Sequence, residues 1–320
     1  MGYVAGEKIL DDEYNVFVNS SSSPFGYNHF AGTGSAEYGL GQTHIPTVVA
    51  GTGTINAAQW NTLLSSIDNI ANHTNDSMTT RGQVTAGDTI KIKAAVATDL
   101  ATLAASVAGG CTSATALDSG TAAGSSTNSG TWNSTSTIER SVTFASADTM
   151  RHYFNAGGKI RVDPTCVTGI DGDKDTAFND LTTTAIGNLD IGSQATTRSG
   201  SGETLTTNGL GNGFHDLGTG YTTLIKLTSD NSNYTNNTVE ISAKLNAAVG
   251  SATVLTVKMV STDAESDDTF TAGNTDGVAA NPNEAPRMTL ALLELFPTDA
   301  QGLAAAIRVD SNAEVSNSAS

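Results

Sequence analysis

The chain has 320 residues, and its 15 lysine and arginine residues against 32 aspartate and glutamate residues give a formal net charge of −17. The basic residues are scattered from Lys8 to Arg308, whereas a nucleic-acid interface draws its affinity from clustered lysine and arginine. The charge therefore excludes a nucleic-acid-binding function and disfavours binding to an anionic membrane surface. Charged residues are only 15% of the chain and glycine is abundant, which is typical of β-rich extracellular or particle-associated proteins.

We expect no targeting signal and no disulfide framework. Four acidic residues precede Tyr14 and interrupt the first apolar stretch, which argues against a secretory signal peptide. No stretch reaches the roughly 18 apolar residues that a membrane span requires, so no membrane insertion is expected. Cys111 and Cys166 fit no zinc motif, and we expect two unpaired thiols, with a single bridge as the alternative.

The first predicted element is a helix that begins at Asn56 or Ala57 and runs to residue 74. Asn56 and Gln59 have the spacing of a capping box, and Ile55 and Trp60 have that of a hydrophobic staple. Apolar side chains then recur every three or four residues along one face. They are Trp60, Leu63, Leu64, Ile67 and Ile70.

A second helix is predicted over residues 89–107 by a similar apolar repeat. The apolar stripe of the first helix must be buried, and two partners are open. It either closes a helical hairpin with the second helix or packs in a bundle with other subunits. An assembly role is therefore predicted for Trp60, Leu63, Leu64 and Ile67.

Residues 109–136 are rich in glycine, serine and threonine and have few large apolar side chains. Such a composition cannot offset its ordering entropy by burial, which predicts a linker. Trp132, near its end, is expected to anchor it on the following domain. The predicted organisation is an N-terminal attachment or assembly region at 1–108, this linker at 109–136, a β-rich domain at 137–296 and a tail at 297–320.

The region after the linker is predicted to be mainly β, with short inserted helices. One such helix has Ser146 as its N-cap and ends at Gly157 and Gly158, and another is predicted over 175–181. Strand-length apolar or alternating segments lie at 136–144, 159–162, 221–227, 238–245, 253–260 and 287–295. The fold class is therefore α+β, with an N-terminal helical hairpin followed by a mainly antiparallel β-sandwich-like domain. Residues 310–320 offer little to bury, which predicts a loose tail.

Residues 141–162 read SVTFASADTMRHYFNAGGKIRV. This segment resembles a family of tailed-bacteriophage virion structural proteins, cyanophage members included, in which a strand is followed by a helix and then by FNAGGxIR. The structural motif is carried here by Phe154, Asn155, Gly157 and Gly158. The resemblance extends over residues 17–260, and it implies a virion protein that is assembled in the host cytoplasm.

Residues 171–175 resemble part of a metal-binding loop. Asp171, Asp173 and Asp175 alternate as at the opening of a calcium-binding loop. Thr176, however, stands where that loop needs glycine, and Thr182 stands where a bidentate glutamate should close the coordination shell. The segment is therefore interpreted as a turn in which Asp173 or Asp175 caps the next helix, and the three aspartates are weak candidates for a metal site.

No other pattern predicts chemistry. The acidic cluster that begins at Asp263 is interpreted as a solvated loop between strands, and the five histidines share no metal-ligand spacing. The chain contains no nucleophile elbow, no His-Glu-x-x-His and no phosphate-binding loop. We therefore predict no catalytic residue, no cofactor and no enzymatic activity.

The predicted function is that of a non-enzymatic structural component of a tailed-phage virion. Its partners would be copies of itself and neighbouring tail, neck or capsid proteins. The alternative is a receptor- or glycan-binding adhesin or fibre protein that recognises a host-surface glycan. Such a protein would present exposed aromatic rings, for which Trp132, Tyr221 and Tyr234 are the candidates.

Overall fold

The structure is a computed structural model. It describes residues 11–22, 25–31, 44–48, 55–74, 76–79, 81–86, 88, 93–108, 117–119, 123–128, 132, 134–155, 157–167, 172–231, 234–264, 287–297 and 308–320. The chain divides into two compact units. The first comprises Met1–Ala116, Arg151–Gly157 and Pro297–Ala304, and the second comprises Leu117–Met150, Gly158–Phe296 and Ala305–Ser320. The predicted α+β class is confirmed, with N-terminal helices and two antiparallel sheets.

The first unit is helical in its described part. Its helices are α1 (Asp11–Asn19), α2 (Tyr27–Ala31), α3 (Ala57–Thr74) and α4 (Lys93–Ala108). The sequence predicted α3 and α4, but it did not predict α1 and α2. All of them contribute to one apolar core, whose members are Tyr14, Phe17, Val18, Tyr27, Ile45, Trp60, Leu63, Leu64, Ile67, Ile70, Ala71, Val96, Leu100 and Leu103.

The start of α3 is the capping box that the sequence predicts. The backbone N–H of Gln59 donates to Asn56 Oδ1 at 2.9 Å, and the backbone N–H of Asn56 donates to Gln59 Oε1 at 3.0 Å. These two bonds satisfy amides that a helix N-terminus otherwise leaves unpaired. Ile55 packs against the same core as Trp60. The local sequence therefore determines where this helix begins.

The second unit contains two sheets, each with six strands among the described residues. Sheet A has the order β1-β11-β4-β5-β6, with β2 also paired to β11, and sheet B has the order β12-β3-β10-β9-β8-β7. The strands are β1 (Leu117–Ser119), β2 (Gly124–Thr127), β3 (Thr135–Thr143), β4 (Lys159–Val167), β5 (Leu189–Ile191), β6 (Thr196–Arg198), β7 (Thr204–Asn208), β8 (Thr222–Thr228), β9 (Thr238–Leu245), β10 (Val254–Thr262), β11 (Arg287–Pro297) and β12 (Ser311–Ala319). In β3 and β4 buried and more exposed residues alternate, as expected of strands with one face in a core.

The linker prediction is corrected in part. Within residues 109–136, β1 and β2 are strands of sheet A, and β2 pairs antiparallel with β11. Trp132 is buried, as expected, with its ring edge-to-face against Phe178 at a centroid distance of 5.1 Å. A segment poor in apolar side chains is held here by backbone pairing with a strand about 165 residues later, a partner that local composition does not reveal.

The helices of the second half lie between strands. Helix α5 (Ala147–Asn155) begins where expected, with the N–H of Thr149 donating to Ser146 Oγ at 3.1 Å. Helix α6 (Gly172–Asn179) continues as a π-helix over Asp180–Ile186. The prediction of a turn before a helix at 175–181 is therefore wrong at its start, because both Asp173 and Asp175 lie inside α6.

The prediction of a loose C-terminal tail is also wrong. Residues Ser311–Ala319 form β12, which pairs antiparallel with β3 along its length, with one register shift between Glu314 and Ser316. Almost all of its side chains are exposed. The strand is therefore held by hydrogen bonds, and its sequence has no apolar pattern that would predict it.

Candidate assembly surface

The apolar stripe of α3 lies in the core of its own unit. Trp60, Leu63 and Ile67 are fully buried and Leu64 is almost so. The ring of Phe17, from α1, meets that of Trp60 edge-to-face at 6.2 Å. The packing thus follows the first of the two alternatives, in which the stripe closes a core within the chain. Oligomerisation stays a prediction, and these four buried side chains are not available as its surface.

The candidate metal segment is a helix with a buried ion pair. Asp171 lies outside the described residues, and Asp175 is buried in α6. Lys174, next to it, is also buried, and its Nζ donates to Asp263 Oδ2 at 2.6 Å. Asp263 is buried too, which overturns its interpretation as part of a solvated loop. The described residues contain no group of three histidine, cysteine or acidic side chains placed to hold a metal ion.

The FNAGG motif is the joint between a helix and a strand. Phe154 and Asn155 are buried at the end of α5, and the N–H of Gly157 donates to the carbonyl of Phe154 at 3.0 Å. Gly157 has φ of 92°, a backbone conformation that side chains with a Cβ resist. Gly158 is buried just before β4. These positions are those of a local structural turn, as the sequence predicted for Gly157.

Two of the three candidate rings for glycan binding are inaccessible. Trp132 is buried against Phe178, and Tyr234 is 1% exposed. Tyr221 is half-buried, and the ammonium groups of Lys258 and Lys244 lie 3.9 and 4.3 Å from its ring centroid. No flat aromatic platform for a neutral sugar is therefore found at these three positions.

The clearest open surface of the second unit is the outer edge of β12. This strand is the first in the order of sheet B, so one side pairs with β3 and the other has no strand paired to it among the described residues. Val315, at the register shift, is 53% exposed. An edge strand presents a row of unpaired N–H and C=O groups, which is a template for pairing with another chain.

Side-chain amides fix β12 against sheet A. Asn312 Nδ2 donates to the carbonyl of Leu292 at 2.9 Å, and Asn317 Nδ2 donates to the carbonyl of Thr127 at 2.8 Å. Asn312 Oδ1 also accepts from Arg140 Nη2 at 2.8 Å. A Cβ at Gly124 of β2 would lie within 3 Å of the side chains of Arg140 and Asn312, so a larger residue at this position would displace the ends of these two side chains.

The hydrogen-bond pattern identifies which amides of β12 face outward. Ser320 and Thr135 exchange both backbone hydrogen bonds, at 2.9 and 3.1 Å. Hydrogen-bonded and non-hydrogen-bonded pairs alternate along an antiparallel ladder, and Ala319, Ser318 and Asn317 follow in register below the shift. The N–H and C=O groups of Ala319 and Asn317 therefore point away from β3, while those of Ser318 point toward it.

The opposite edge of sheet B is also exposed. All five residues of β7 are exposed, and Leu205 is the large apolar side chain among them. Neither β7 nor β12 contains lysine or proline, two residues with which edge strands are commonly protected from further pairing. Each strand does contain a register shift, at 205/207 in β7 and at 314/316 in β12.

Comparison with protein-family models, with curated proteins and with solved structures found no match. Among the helices in the described part of the chain, none combines the length and the apolar character needed to cross a membrane.

Proposed function

We propose that this chain is a non-enzymatic structural component of a tailed-phage virion, which assembles with copies of itself and with neighbouring tail, neck or capsid proteins. The assignment to a particle is supported by the resemblance of residues 141–162 to that family. The assembly role is supported by one structural observation, the outer edge of β12, which has no strand paired to it among the described residues and carries neither lysine nor proline.

The occupant that fits this edge best is a strand from a second copy of the chain. The exposed side chains of β12 are mostly small, for example Ala313, Ser316 and Ser318, so a second backbone can approach closely. The strand carries one charged side chain, that of Glu314. Strand addition draws affinity from main-chain hydrogen bonds, and it needs no apolar groove.

Two geometries of self-assembly are open to sheet B. Pairing of β12 with its own copy around a two-fold axis closes a dimer, whereas pairing of β12 with β7 of the next copy is head-to-tail and gives a ring or a fibre. Because β12 is nine residues long and β7 is five, the pairing of two β12 strands forms the longer ladder. We therefore favour the two-fold geometry.

The experiment compares edge variants by sedimentation velocity at assembly concentrations. Val315→Lys combined with Ala319→Pro adds a charge to the outer edge of β12 and removes one outward N–H, while it leaves the bonds to β3 in place. Ala319→Ser, which retains the N–H, is its matched control. Leu205→Lys makes the corresponding change on β7.

We expect the wild type, the Ala319→Ser variant and the Leu205→Lys variant to assemble, and the double variant of β12 to remain monomeric. Loss of assembly in the β7 variant as well would indicate head-to-tail pairing. Full assembly of the β12 double variant would contradict the proposal. The particle assignment is tested separately, by immunogold labelling of purified phage particles with antibodies against the chain, and unlabelled particles would contradict it.

A further inference from the structure

Two lysines converge on one tyrosine ring on the outer face of sheet B. Tyr221 directly precedes β8. Nζ of Lys258 lies 3.9 Å from its ring centroid and Nζ of Lys244 lies 4.3 Å from it. Both distances are typical of a cation–π interaction. Lys244 is in β9 and Lys258 is in β10. The ring therefore lies across neighbouring strands of the sheet.

The strand register explains this convergence. Lys258 lies opposite Ser242, and Lys244 lies opposite Thr256, so the two lysines are diagonal neighbours on adjacent antiparallel strands. Among the described residues neither ammonium group has a carboxylate within ion-pair distance. Two like charges beside one ring repel each other, and attraction to an anion bound next to both of them offsets that repulsion.

A buried hydroxyl lies on the same face. Ser242 is 1% exposed, and its Oγ has no hydrogen-bond partner in the described structure. Its neighbours Ile241 and Ala243 are buried in the core, and side chains alternate along a strand, so Ser242 points to the outer face together with Lys244. A buried hydroxyl without a partner is unfavourable, and a ligand oxygen would satisfy it once a neighbouring side chain moves aside, because Oγ itself is closed to solvent in this structure.

Glu139 limits the charge of the ligand. It lies opposite Lys258 on β3, and its carboxylate is close enough to the Tyr221 hydroxyl to affect the pKa of that group. Burial, and then Glu139, raise the pKa of Tyr221, so this hydroxyl stays protonated at neutral pH. With two ammonium groups and one carboxylate, the cluster has one net positive charge, which favours a monoanion over a dianion.

We propose that Lys244, Lys258 and Ser242 form a binding site for a single carboxylate group on the outer face of sheet B. The two ammonium groups contact the carboxylate oxygens, and the Ser242 hydroxyl donates to one of them. The carboxylate comes from a small free acid or from an acidic sugar. The site is independent of the edge of β12.

The test is an NMR titration of the full chain at constant ionic strength. The probes are acetate, glucuronate, glucose and inorganic phosphate. Lys258→Gln and Lys244→Gln each remove one ammonium group from the site. Lys226→Gln is the matched control. Lys226 lies on the same sheet, but its ammonium group is 3.6 Å from the carboxylate of Glu240 and does not belong to the site. Sedimentation of each variant shows whether assembly is retained.

We expect acetate and glucuronate to shift the resonances of Ser242 and of both lysines, and glucose to leave them unchanged. Equal affinities indicate recognition of the carboxylate alone, and tighter binding of glucuronate indicates an acidic sugar. Loss of one charged hydrogen-bond donor should weaken binding about tenfold in each site variant and much less in the Lys226 variant. No carboxylate binding, tighter binding of phosphate, or equal losses in all three variants would overturn the proposal.

Discussion

Helix α3 and strand β12 are held in the fold by opposite means. Every apolar side chain in the stripe of α3 is buried, and the helix begins at a capping box formed by its own residues. Strand β12 buries almost nothing, and it is fixed by pairing with β3 and by the amides of Asn312 and Asn317. Apolar burial therefore leaves a local periodic signal in the sequence, whereas hydrogen bonding to a distant strand leaves none.

Truncation of a buried side chain in α3 should cause the largest loss of stability. Trp60→Ala removes the largest fully buried side chain of the core, and such a substitution costs about 3–5 kcal/mol of the free energy of unfolding. Hydrogen exchange should show the loss of protection across α3. The control is Ser65→Ala, at an exposed position of the same helix, and equal protection in the two variants would show that Trp60 does not hold the core.

The ion pair of Lys174 and Asp263 is both buried and hydrogen-bonded. Lys174→Met leaves Asp263 buried without its ion-pair partner, which costs about 3–5 kcal/mol. Adding Asp263→Leu should restore much of the lost stability, because the uncompensated charge is then gone. Denaturant unfolding of the wild type, the single variant and the double variant measures this coupling. Additive losses in the double variant would show that the two residues are not coupled.

Removal of the side-chain amides that hold β12 should cause smaller losses of stability, and the two losses should differ in size. Asn312→Ala removes the bonds to Leu292 and Arg140, and the loss of partners for buried polar groups costs about 1–3 kcal/mol. Asn317→Ala removes the bond to Thr127 from a more exposed site, at about 0.5–1.5 kcal/mol. Hydrogen exchange of β12 should follow the same order, and the reverse order would contradict the assignment of Asn312 as the main anchor.

The smallest expected effect concerns Cys166, a free thiol whose pKa burial and Asp175 raise to about 12. In a Cys111→Ser background, it should not react with thiol reagents near pH 8 until the chain unfolds. Since the folded pKa is above the unfolded value, this group lowers the stability as the pH rises from about 9 toward 12. Rapid labelling of the folded chain would contradict this burial.

The sequence predicts local features well and non-local ones poorly. The capping box at Asn56 and Gln59 and the positive φ at Gly157 follow from residues within one or two turns. The sequence does not predict the acidic helix α1, because Tyr14, Phe17 and Val18 are too few to form a periodic stripe in a short segment. The burial of Asp263 does not follow from its neighbours in the sequence, because its partner, Lys174, is 89 residues away.

The two proposed sites also depend on contacts between distant segments. Tyr221 could be selected as a candidate ring from its residue type, but the convergence of Lys244 and Lys258 on it depends on the register of β9 and β10. The edge of β12 depends on strand order, since a segment of serine, asparagine and alanine is typical of a disordered tail. Strand order and register arise from contacts between distant segments, and a single sequence does not display them.

The most direct test of the assembly proposal is hydrogen exchange at single-residue resolution, in which exchange proceeds in the assembled state and is read after dissociation. Pairing along the outer edge of β12 should protect the backbone amides of Asn317 and Ala319 on assembly. The amide of Ser318, which already faces β3, should be protected equally before and after. Assembly that leaves Asn317 and Ala319 exchanging as fast as in the monomer would contradict the proposal.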